Sequence, residues 1–237
     1  MAEHEVIKHT REVVKVLKKP DTFKHKIKDT ILEIAIIVFA ITLSLIVERW
    51  RESSAEHTLE HNFLSNLVND LKADEEQLKQ DSASYVKMRD GFRYLRSAYM
   101  GKQLQHDSAL RSVDFLYNGV SFVPSNSRYE ALKASGKLDV IEDKNLQVEI
   151  VNLYQQTIPS LIASTTQFSD FKNRLGDYAD YHLVIKGDKN NIQQVMESPV
   201  TYNLLDKDGF MENIIQKYVV TLKETRNIIR KIEAEEK

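Results

Sequence analysis

The sequence predicts an all-α protein: one transmembrane helix that continues into a long helical rod and an antiparallel helical bundle. Three observations carry this. Ile31 to Val47 are all apolar or small except Glu33, and neither glycine nor proline occurs from Asp21 to Asp90. Beyond Trp50, apolar residues recur every three or four positions, and no stretch alternates with the two-residue period of a strand except Tyr181 to Ile185.

Composition sets the outer bounds. At 237 residues the chain is long enough for one sizeable core, and 42% hydrophobic with 29% charged residues is a globular composition. The 33 basic and 35 acidic residues leave a net charge of -2, which disfavours nucleic acid as a partner. With no cysteine, disulfides, thiolate metal ligands and thiol nucleophiles are excluded. Only seven glycines are present, and no phosphate-cradling glycine loop or Gly-x-Ser-x-Gly elbow occurs.

Residues 1–28 read as a basic cytoplasmic segment. Within it EVIKHTREVVKVLKK forms a short amphipathic helix ending at Pro20, with Val6, Val13, Val14 and Leu17 on one side. Such a helix suits the surface of the inner leaflet or a docking partner.

Residues 29–50 form the transmembrane helix. The seventeen residues from Ile31 to Val47 rise roughly 26 Å as a helix, near the lower limit for a bilayer core. Lys8, Arg11, Lys15, Lys18, Lys19, Lys24, Lys26 and Lys28 precede it, whereas Glu48 to Leu71 contains only Arg49 and Arg51. This asymmetry places the N-terminus in the cytoplasm and the bulk of the chain outside, with Trp50 in the far headgroup region. The long leader and apolar run favour an uncleaved signal anchor over a cleaved signal peptide. Glu33 falls toward the cytoplasmic boundary, where the helix dipole favours a carboxylate. Glu33, Ile37, Ala40 and Ser44 share one stripe, a mostly small or polar face suited to helix association in lipid.

Residues 51–237 form the outer helical domain. It opens on HTLEH, residues 57–61, where His57, Glu60 and His61 match the spacing of the inverted zinc peptidases. Catalytic zinc needs a third protein ligand and a substrate cleft. The polar flank of Glu56, Asn62 and Ser65 instead predicts a wet helix, so these residues are weak metal candidates and no cofactor is expected. The rod is predicted to reach about Gln80. Asp143 is placed to cap a long helix running toward Asp170, bent at Pro159. A last helix from about Asp208 carries Ile215, Tyr218, Leu222, Thr225, Ile229 and Ile232 as a heptad-like stripe that calls for a partner.

Between these helices lies YEALKASGKLDVIEDKNLQVEIVNLY, residues 129–154. Tyr129, Leu132, Ser135, Gly136 and Leu138, followed by Asn145 and Leu146, resemble a family of uncharacterised single-pass membrane proteins found mainly in Gram-negative Bacteroidetes. The early Glu33-Ile34 and the closing Trp50 resemble the same family, although Leu32 stands where its members usually carry glycine and Glu48-Arg49 where they carry asparagines. The resemblance implies a bacterial inner-membrane location and no particular activity. Read from the residues alone, Ser127 caps a short helix over Tyr129 to Ser135 and Gly136 ends it in the left-handed conformation.

These readings converge on a non-enzymatic inner-membrane protein whose periplasmic helical domain serves as a subunit of a homo-oligomer or a larger membrane complex. Membrane lipid and protein are the expected partners. Two other functions fit the same layout: a periplasmic ligand-binding sensor, and a small homo-oligomeric ion or proton channel built around Glu33.

Overall fold

The computed structural model describes residues 20–186 and 189–235. The amphipathic helix expected before Pro20 and the break at Gly187 lie outside them. The chain divides into two compact units, Met1–Thr58 and Leu59–Lys237.

Helix α1 spans Pro20–Arg96. Proline suits its opening turn, where the missing N–H would have had no helical partner. In the first unit the helix is exposed at every side chain described, from Ile31 at 60% to Trp50 at 75%. An 18-residue window here has a mean hydropathy of 2.6 and no buried residue. By length and composition this helix is able to cross a membrane.

In the second unit α1 supplies the spine of a helical bundle. Leu64, Leu71, Leu78, Tyr85 and Phe92 are buried seven residues apart. Alternating with them at spacings of three and four are Glu60, Leu67, Asp74, Asp81, Met88 and Leu95. This is a heptad seam, and it is why the helix runs on to Arg96 rather than ending near Gln80. Gly91 lies within it without breaking it. A Cβ there would sit 2.6 Å from Phe115 Cδ2, so the bare glycine gives the ring its space.

Short helices follow: α2, His106–Asp114, and α3, Ser127–Ala134. Asn126 rather than Ser127 occupies the N-cap of α3, and no side chain bonds there. Gly136, at φ +69°, closes it as expected. A 3₁₀ turn at Leu138–Val140 leads to α4, Lys144–Asn152, where Asp143 accepts from the backbone N–H groups of Asn145 and Leu146. A π turn, Leu153–Thr157, then joins α4 to α5, Ile158–His182. The N–H of Ile158 bonds to Leu153 O, so the wider turn lies immediately before Pro159, which has no N–H to offer.

Helix α5 continues through Tyr181 and His182, where the alternating pattern hinted at a strand. The only strands among the described residues are β1, Ile185–Lys186, and β2, Lys189–Asn190, an antiparallel pair. Helices α6, Ile192–Met196, and α7, Pro199–Leu205, lead to α8, Asp208–Glu235.

α8 runs antiparallel to α1. Its Glu212, Arg226 and Glu233 pair in reverse order with Arg89, Glu75 and Lys72. Its heptad stripe is buried at Ile215, Tyr218, Thr225, Ile229 and Ile232. The partners that stripe called for are therefore α1 and α5 of the same chain. Tyr85 of α1 meets Phe168 of α5 at 5.8 Å and Tyr218 of α8 at 5.5 Å between ring centroids. These rings mark where the three long helices share one core.

Candidate functional site

Glu33, Ile37, Ala40, Ser44 and Trp50 are all exposed. Ser44 Oγ donates to Ala40 O at 2.9 Å, and Thr42 Oγ1 donates to Val38 O at 2.8 Å. Both hydroxyls are thus satisfied within the helix, as an apolar surrounding requires.

HTLEH does not behave as one site. His57 and His61 are exposed, while Glu60 is 7% exposed and accepts from the Glu142 backbone N–H at 2.6 Å. Glu60 belongs to the core edge rather than to a wet face, because its position on the heptad seam turns it inward. Among the described residues no group of three or more His, Asp or Glu side chains is arranged to hold a metal ion.

The Tyr129 segment, by contrast, is drawn together. Tyr129 is fully buried and Leu132 nearly so, and Leu138 packs half-buried against the core. Ser135 Oγ donates to Leu132 O, closing the helix end beside Gly136. Tyr129 stacks on Tyr154 with centroids 4.5 Å apart, and its hydroxyl accepts from Gln155 Nε2 at 2.8 Å. Arg128 reaches Asp70 at 2.8 Å.

Sequence periodicity also places three ionisable side chains, Asp74, Asp81 and Lys172, on inward positions. Asp74 is 2% exposed; its Oδ1 accepts from the Ser125 N–H at 2.9 Å, and its Oδ2 has no hydrogen-bond partner among the described residues. Burial pushes its carboxyl above the usual range, against the Ser125 bonds that lower it. The buried Tyr154 hydroxyl has no hydrogen-bond partner among the described residues, and burial together with the Asp74 charge raises its pKa. Asp81 repeats the arrangement one heptad later: burial raises it, and its charge adds to the burial that raises Tyr85 and Tyr218. Lys172 is the third, 6% exposed on the inward stripe of α5 between Phe168 and Leu175. A heptad register read through the charged residues would have found all three.

Two grooves of about 520 and 500 Å³ flank the outer side of α8. Lys223 and Arg230 line both. Exposed Val219 and Val220 lie one in each. A smaller cleft of about 210 Å³ lies beside Lys172.

No curated protein and no solved structure matches the chain. One family model does, over residues 33–213, which takes in Glu33, Trp50 and the whole Tyr129–Tyr154 segment. With most of its length matched, from the apolar helix to the start of α8, the chain belongs to a family of unknown function, DUF6090.

Proposed function

We propose that this chain is a non-enzymatic single-pass protein of the bacterial inner membrane, its N-terminus cytoplasmic and its helical domain periplasmic, serving as an accessory subunit of a membrane complex. One observation carries the reading: an apolar helical window exposed along its whole length, which water would penalise at every residue. The excess of lysine before that window supports the orientation. A binding rather than catalytic role is supported by how the acids are used. Glu60 holds a backbone N–H, while Asp70 and Glu75 are tied to Arg128 and Arg226. The outer side of α8, with Val219 and Val220 set among charged residues of both signs, is the surface offered to a protein partner.

The lack of natural cysteines makes the test clean. Lys8→Cys and Gln216→Cys are labelled in intact cells with a membrane-impermeant maleimide. The proposal expects Gln216→Cys to react after the outer membrane alone is opened, and Lys8→Cys only after the inner membrane is permeabilised. The reverse pattern, or recovery of the protein in the soluble fraction, overturns it. The mass of the detergent-solubilised protein then reports assembly, and a lone monomer without co-purifying subunits rejects the accessory-subunit role.

A further inference from the structure

We propose that the cleft beside Lys172 binds a small monocarboxylate, its anionic end on the Lys172 ammonium and its apolar end against Phe168 and Met88. This goes beyond the membrane-subunit reading and does not depend on it.

The cleft is bounded by three parts of the fold. Tyr85 and Met88 come from α1, Gly119 to Ser121 from the loop after α2, and Thr165, Thr166, Phe168, Ser169 and Lys172 from α5. Tyr85, Met88, Thr165, Phe168 and Lys172 are buried, whereas Gly119, Ser121, Thr166 and Ser169 are exposed at its mouth. It is therefore a pit with a charged, partly apolar interior and a hydroxyl rim.

The cation inside is the anomaly. Lys172 Nζ donates to Asn118 O, and no other hydrogen bond or ion pair engages it among the described residues. An ammonium has three donors, so two are left without a protein acceptor. Burying an unpaired charge is unfavourable, and burial accordingly lowers the lysine's pKa. By contrast, the half-buried Lys231 meets Glu149 at 2.6 Å. Lys172 stands at an inward heptad position between Phe168 and Leu175, where an apolar residue would satisfy the fold alone. A basic group held there against its own desolvation fits a site that gains its counter-charge from a ligand.

Charge and shape narrow the ligand. One lysine, with no arginine or second cation among the lining residues, matches a single negative charge rather than a phosphate dianion. Thr165 Oγ1 already donates to Ile162 O and the Tyr85 hydroxyl to Val120 O. Among the described residues, the hydroxyls of Thr166 and Ser169 at the mouth engage no other group. About 210 Å³ holds several waters at roughly 30 Å³ each, or one short carboxylic acid with an apolar tail.

The test uses the full chain in detergent, titrated with sodium butyrate, with sodium chloride at matched ionic strength and inorganic phosphate as separate arms. Butyrate is expected to give saturable heat of binding and a rise in Tm that chloride and phosphate do not reproduce. Lys172→Met, which suits its apolar surroundings, is expected to keep the helical spectrum and weaken butyrate binding at least tenfold. Ser169→Trp, an exposed rim position, closes the mouth and is expected to abolish binding without unfolding the domain. A butyrate response equal to that of chloride or phosphate, or one that survives Ser169→Trp, overturns the proposal.

Discussion

Tyr129 and Tyr154 stack with their ring planes inclined by only 15°, fastening the first turn of α3 to the π turn before α5. The Tyr129 hydroxyl has a partner in Gln155, but among the described residues neither the Tyr154 hydroxyl nor Oδ2 of Asp74, whose charge acts on Tyr154, has one. The segment by which the chain resembles its family is thus a buried aromatic joint with unused hydrogen-bonding capacity beside it.

Asp74→Asn should stabilise the domain by about 1 kcal/mol at neutral pH. The amide keeps an acceptor for the Ser125 N–H and replaces an unpartnered anionic oxygen with a donor. The sign follows from the raised pKa: the folded state takes up the proton more readily than the unfolded one, so wild-type stability increases as pH falls through the raised value toward 3.8. The advantage of the variant therefore shrinks over that window. Thermal unfolding of both proteins across pH 3 to 8 checks this, and a destabilised variant at neutral pH contradicts it.

Gly91→Ala should destabilise the fold by about 1 kcal/mol even though alanine is the better helix former. The added methyl meets Phe115 Cδ2 at 2.6 Å and Cε2 at 2.8 Å. Combining it with Phe115→Leu should recover part of the loss, a coupling that a double-mutant cycle in urea measures directly.

Glu60→Ala should cost about 1–3 kcal/mol by leaving the Glu142 N–H without its acceptor, and Glu60→Gln less. His57→Ala and His61→Ala, both at exposed positions, should fall within about 0.5 kcal/mol of wild type. If HTLEH held structural zinc, chelator would lower Tm and the histidine variants would do the same. Denaturant curves with and without chelator separate the two outcomes.

A chain beginning at Leu59 should fold and remain in solution without detergent. The buried core begins at Glu60 and Phe63, and all its members lie in the second compact unit. Far-ultraviolet circular dichroism and a single cooperative thermal transition are the readout. Aggregation or loss of helicity on removal of residues 1–58 would mean that the first unit contributes to the core.

The long elements were legible because their causes are local. The apolar run, the absence of glycine and proline to Asp90, the Asp143 cap and the left-handed Gly136 each declare themselves within a few residues. What escaped depended on distant partners. Gly91 reads as a helix breaker until Phe115, which needs its space, is known to pack there. Glu60 reads as solvated until the Glu142 N–H arrives from more than eighty positions away. The stripe on α8 looks like an unmet interface because periodicity reveals that a face is apolar without saying what covers it. Asp74, Asp81 and Lys172 escape for a related reason: a charged side chain reads as exposed, and in each case the helical register outweighs that.

The π turn gives this register a discontinuity. Leu146, Ile150 and Leu153 face inward up to the start of the turn, and from Tyr154 onward Ile158, Leu161, Thr165, Phe168 and Lys172 do so, one residue out of step with the first set. Its surplus residue acts as a phase shift between two otherwise continuous helices. Removing one codon there would bring the two sets into a single α-helical register, whereas winding the turn as α-helix with its surplus residue kept would rotate everything downstream by about 100°. In that second case the buried lysine, fifteen positions beyond the end of the turn, would leave its cleft without itself being altered.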